Sequence, residues 1–143
     1  MNRNLIFTTL FLLLTMPFML NTNNGWSDCS INGIQADVLN VSWGPDPVGP
    51  TGMTMFFNVS QGLSQASTTF TKLVVSFNDP SGVISSANQF EISPGINSVD
   101  NSYQVMVPDL IPSPVYTVAV MLTEVGIGDV LYCVLFSRDT RSG

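Results

Sequence analysis

Residues 115–136, VYTVAVMLTEVGIGDVLYCVLF, restrict the fold of this chain more than any other stretch. Tyr116, Val118, Val120 and Leu122 alternate with Val115, Thr117, Ala119 and Met121. After a glycine-bearing break at residues 124–129, Val130, Tyr132, Val134 and Phe136 alternate with Leu131, Cys133 and Leu135. A period of two in β-branched and aromatic residues predicts strands, and two strands around a short loop with glycine predict an antiparallel hairpin. Apolar residues stand on both faces. The hairpin is therefore expected inside a sheet, one face against a core.

The rest of the chain repeats the pattern in shorter pieces. Residues 34–43 read as a lead-in and strand, and residues 53–60 as a second strand with Met53, Met55, Phe57 and Val59 on one face. Residues 69–77 form a third, with Leu73, Val75 and Phe77 opposite Phe70, Lys72 and Val74. A weaker strand is expected at 83–92 and a short one through Tyr103, Val105 and Val107. Between them lie a loop with prolines at 45, 47 and 50, a polar loop at 61–68, a turn at 78–82 and a loop at 93–101. Residues 137–143 read as a frayed tail. About seven strands at regular spacing, with no helical periodicity, predict a single all-β domain, a sandwich or a barrel.

The start of the chain reads differently. A short basic opening at Arg3 precedes an uncharged apolar run, residues 5–20, and a polar stretch with small residues. This is the form of a secretory signal peptide, assigned to residues 1–24, with the domain at 25–143. Its alternative is an uncleaved anchor helix, but the run is broken by Thr8, Thr9, Thr15 and Pro17 and is shorter than the roughly 20 residues a membrane span prefers. Secretion changes how Cys29 and Cys133 read: in an oxidising compartment they suggest a disulfide, against the alternative of two buried thiols. Asn40-Val41-Ser42 and Asn58-Val59-Ser60 are glycosylation sequons, at Asn40 and Asn58.

Charge and composition narrow the function. The net charge is −6 with four Lys+Arg, which leaves no basic face for nucleic acid. The chain has no histidine, which removes Ser-His-Asp and Cys-His catalysis and the commonest zinc ligand. Asn78-Asp79 and Asp100-Asn101 lack the spacing of a calcium loop and read as turn chemistry. Asp46 reads as a turn cap or a solvated side chain. Lys72 has two readings: a partner for a lipid phosphate, or an exposed lysine on an edge strand that discourages aggregation. The chain is expected to be no enzyme, with no metal and no cofactor.

The order of features resembles the ML lipid-recognition family, which includes the Niemann–Pick sterol carrier and the phosphatidylglycerol/phosphatidylinositol transfer proteins. Four pieces carry the resemblance across residues 26–136. They are Asp28-Cys29-Ser30, the proline-rich run Trp43 to Gly52, the strand Thr69 to Phe77, and the closing hairpin from Pro114-Val115-Tyr116 to Leu131-Tyr132-Cys133. The resemblance implies a Cys29–Cys133 disulfide and an immunoglobulin-like β-sandwich that holds one lipid in an apolar cavity between its two sheets. It departs from the family in residues 77–102, where no second cysteine pair occurs. The cavity walls it implies are Met53, Met55, Phe57, Phe70, Leu73, Val75, Phe77, Phe90, Tyr103, Val105, Val118, Val120 and Phe136. Met106 and Met121 would add adaptable lining. The expectation is a secreted or endolysosomal monomer that carries a glycerophospholipid or sterol and touches membranes transiently. Its rival is a secreted recognition or adhesion module with a packed core and no lipid.

Overall fold

The computed structural model describes residues 23–81, 84–109 and 114–142. The expected signal peptide falls outside these residues up to position 22. Among the described residues there are nine strands: β1 Trp26–Ser27, β2 Asp37–Val38, β3 Val41–Gly44, β4 Thr54–Gly62, β5 Thr71–Asn78, β6 Ile84–Glu91, β7 Ser98–Met106, β8 Val115–Glu124 and β9 Asp129–Asp139. Two sheets form. The larger runs β1-β9-β8-β5-β6 with β2 added to β9, and the smaller runs β3-β4-β7. All pairings are antiparallel except β2 with β9. The chain is an all-β sandwich.

The closing hairpin is central. β8 lies between β9 and β5, in register from Val115 opposite Asp139 to Glu124 opposite Asp129. The turn between them closes because the N–H groups of Ile127 and Gly128 both donate to the Glu124 carbonyl, at 3.3 and 3.0 Å. Gly128 sits at φ 73°, a left-handed conformation that glycine adopts without a Cβ penalty.

Alternation then sets the core. Val118, Val120 and Leu122 of β8, Leu73, Val75 and Phe77 of β5, and Tyr132, Val134 and Phe136 of β9 face the smaller sheet. That sheet answers with Trp43, Met55, Phe57, Val59, Val99 and Val105. A second, smaller cluster lies on the outer face of the larger sheet: Cys29, Ala119, Cys133 and Leu135, with Ile34 and Ala36 against them. The Cys29–Cys133 disulfide ties the opening segment to this face, with Cα atoms 5.8 Å apart and a sequence separation of 104.

Four expectations need correction. The strand expected up to Trp43, with residues 34–37 as its lead-in, is divided, because the chain crosses from one sheet to the other at Leu39 and Asn40. β2 pairs with β9, and β3 pairs with β4. The loop expected at 93–101 ends early: β7 begins at Ser98 and matches β4 over its whole length. Its outward row is Ser98, Asp100, Ser102 and Gln104, which face solvent and hid the strand. The tail does not fray at Ser137, since β9 continues to Asp139. Lys72 is not on an edge strand, because β5 lies between β8 and β6. The lysine is ion-paired with Glu91, its neighbour across β6.

Candidate functional site at the end of the sandwich

Most of the expected cavity walls meet in one place. Met55, Phe57, Leu73, Val75, Phe77, Val105, Val118, Val120 and Phe136 are buried together between the sheets, and Phe90 and Tyr103 pack against them. Two of the thirteen lie elsewhere. Met53 precedes β4 in the turn after Pro50, and Phe70 precedes β5; both are exposed. Each sits one residue short of its strand, where alternation no longer fixes the face. The methionine lining shrinks as well. Met106 is exposed, and Met121, opposite Cys133 in register, points to the outer cluster.

The inter-sheet layer is filled by rings. Trp43 stacks on Phe57 with centroids 6.1 Å apart and meets Phe136 edge-on at 5.6 Å. Phe90 and Tyr103 meet at 5.0 Å, which brings β6 opposite β7 along the other flank. Burial raises the Tyr103 phenol above its usual pKa, against a hydrogen bond from Asn101 that lowers it. Two buried donors have no partner among the described residues: Trp43 Nε1 and Asn88 Nδ2. Trp43 belongs to the core, and Asn88 shares the inward face with Val75, its register partner.

A pocket of about 520 Å³ opens at one end of this layer. It is bounded by the β4–β5 connection, residues 63–68, by Thr71 and Glu124, and by Ile127, Asp129, Leu131 and Tyr132 around the β8–β9 turn. Leu63 and Tyr132 link it to the core cluster. The connecting loop is fixed from both sides. Ser67, buried, donates through Oγ to the Ser93 carbonyl at 2.6 Å and accepts from Ile96 N–H at 3.0 Å. The Tyr132 hydroxyl accepts from Ser64 N–H at 2.9 Å. Glu124 accepts from Thr71 Oγ1 at 2.9 Å and from Thr68 Oγ1. A second recess, about 770 Å³, lies on the outer side of the same turn, along Ile34, Gln35, Ala36, Asp37 and Asp129. None of the residues lining the 520 Å³ pocket is among the expected site residues, although Leu131 and Tyr132 stand in the expected hairpin. The signal available was an apolar Leu63 opening an otherwise polar loop next to the glycine-rich turn.

The opposite end of the sandwich is closed by charge. Arg138 donates from Nε and Nη2 to the two carboxylate oxygens of Asp46, at 2.8 and 2.7 Å. Asn23 donates to Asp46 at 2.7 Å and also pairs with both Trp43 backbone groups, at 2.8 and 3.0 Å. Asn23, assigned to the signal peptide from sequence, is thus buried in the folded domain. Burial alone would raise the Asp46 pKa, but the bonds from Arg138 and Asn23 outweigh it and hold the carboxyl below its ordinary value. The guanidinium also lies 5.3 Å from the Trp43 ring centroid and 5.7 Å from that of Phe136. The Tyr116 hydroxyl accepts from Val48 N–H at 2.8 Å and so pins the proline loop.

Comparison with known proteins gives no match to a family model and none to a curated protein. Among the described residues no group of three or more His, Cys, Asp or Glu side chains is placed to hold a metal. No helix among them is long and apolar enough to cross a membrane.

Proposed function

We propose that the protein is a lipid-binding carrier of the ML type, secreted or lumenal, that takes an amphiphile through the end pocket into the inter-sheet layer. The observation that carries this reading is the pocket between the 63–68 loop and the β8–β9 turn, which joins an apolar core and has exposed Ile127 and Leu131 in its lining. Its volume falls in the range of about 300–1,000 Å³ common for small-molecule sites. Burial of a chain there would gain about 0.8 kcal/mol per CH₂. The unpartnered donors of Trp43 and Asn88 favour a ligand with a hydroxyl or ester acceptor over a bare hydrocarbon, since buried donors need partners. The disulfide suits an oxidising compartment. Glycosylation is best placed at Asn58, which points outward from β4, and less well at half-buried Asn40. Asn58→Gln should lower the intact mass of protein from a glycosylating host by one glycan; an unchanged glycan mass contradicts that placement.

One observation favours the rival, a packed recognition module: the inter-sheet layer is already filled by large buried rings. Ala66→Trp separates the two, because Ala66 is exposed on the pocket wall and its replacement fills the opening without touching the core. The carrier reading expects uptake of a fluorescent phospholipid or sterol to fall about tenfold or more at unchanged melting temperature. Uptake equal to that of the unmodified protein contradicts the pocket as the way in.

A further inference from the structure

The turn that bounds the pocket carries an unusual surface. Val125 is 51% exposed, Ile127 70% and Phe70, just before β5, 56%. The turn runs beside Phe70. The Val125 N–H donates to the Phe70 carbonyl at 3.0 Å, and a Cβ placed on Gly126 would come within 3.2 Å of the Phe70 ring. The ring therefore lies against a turn residue that has no side chain to displace it. Leu131, also exposed, continues the patch along β9. Water-facing clusters of this kind mark contact with a partner or a membrane.

The charges around the patch choose the occupant. Its nearest ionised groups are carboxylates, Glu124 and Asp129, both on the pocket wall. The nearest cation among the described residues, Lys72, is engaged by Glu91. The other two described cations, Arg138 and Arg141, lie at the far end of β9, where they pair with Asp46 and Asp139. An acidic rim around apolar tips repels an anionic bilayer. It complements a zwitterionic one, whose outermost charge is the ammonium of phosphatidylcholine or phosphatidylethanolamine. Insertion of the tips would gain from apolar burial while Glu124 and Asp129 stay at headgroup level.

We infer that the protein docks on zwitterionic phospholipid surfaces through the tip formed by Phe70, Val125 and Ile127, which sets the end pocket against the bilayer. This rests on the carrier reading for its purpose, but docking and carriage fail separately. The test is flotation of the full secreted protein with phosphatidylcholine vesicles, with and without added phosphatidylglycerol. Expected is binding to phosphatidylcholine that survives high salt and weakens as phosphatidylglycerol is added. Phe70→Glu with Ile127→Glu should lower partitioning about tenfold or more, and Val125→Glu alone should lower it less. Met106→Glu, at the far end of β7 from the pocket, should leave it unchanged. Unaltered thermal melts show that the variants fold. No flotation with phosphatidylcholine, binding that requires phosphatidylglycerol, or tip variants that float like the unmodified protein would each overturn the proposal. Uptake of a short-chain fluorescent phosphatidylcholine, presented as monomers without vesicles, distinguishes the two failures. Uptake without flotation overturns docking and leaves the carrier, whereas flotation without uptake keeps docking and removes the carrier.

Discussion

Asp46 and Arg138 are 92 residues apart in sequence and joined by two parallel hydrogen bonds, with side chains 22% and 14% exposed. A bidentate pair this sheltered does more than an exposed surface pair, since water competes less for either group. It also holds Asn23 and faces the Trp43 and Phe136 rings. Asp46→Asn should cost about 1.5–3 kcal/mol of stability, the usual worth of a hydrogen bond to a charged group, read by denaturant unfolding. The sign of the pH effect follows from the depressed Asp46 pKa. Its contribution is fully present above the unfolded carboxylate value of about 4 and is lost as pH falls through the lower folded value. Unfolding free energies of the unmodified protein and Asp46→Asn, measured from neutral pH downward, should therefore converge below about pH 4. A gap that stays constant across that range would show that the pair does not titrate with folding.

At the scale of elements, the closing hairpin receives the start of the chain. β1 pairs with β9 at Phe136 and Leu135, β2 pairs with it at Tyr132 and Cys133, and the disulfide lies between these contacts. Without the cross-link, two-residue strands have little to hold them. Cys29→Ser with Cys133→Ser should cost about 2–5 kcal/mol, and hydrogen exchange should rise first in residues 26–38. Equal exchange there in both forms would mean that strand pairing alone secures the segment. The elements legible in the sequence are those with an unbroken apolar run in the inward row. β5, β8 and β9 show one in Leu73-Val75-Phe77, Val118-Val120-Leu122 and Tyr132-Val134-Phe136. Only the second half of β7 does, through Tyr103 and Val105, because Asn101 interrupts its inward row and its outer row is polar. The sheet change at Leu39 and Asn40 was also illegible. It leaves period-two alternation intact and shows only in which partner each half acquires.

Over the whole molecule, the two ends of the sandwich differ in chemistry. One is locked by Arg138, Asp46 and Asn23; the other opens in a pocket edged by apolar tips and carboxylates. The sequence identified most of the inter-sheet wall but missed the opening. Leu63, Ser67 and Tyr132 converge only after the 63–68 loop is tied to the 93–97 loop and to β9, which are distant in the chain. Tyr132 read simply as a strand residue, and nothing local to it foretells that its hydroxyl holds Ser64. The expected disulfide is present, as is the all-β sandwich.

Lipid carriage, the proposed function, is open to native mass spectrometry of protein from a secretory expression host, followed by organic extraction. A bound mass at near one-to-one, released as a lipid with a hydroxyl or ester group, is expected. Protein that arrives bare, and stays bare after incubation with phospholipid and sterol, would contradict the carrier and leave the packed recognition module as the better description.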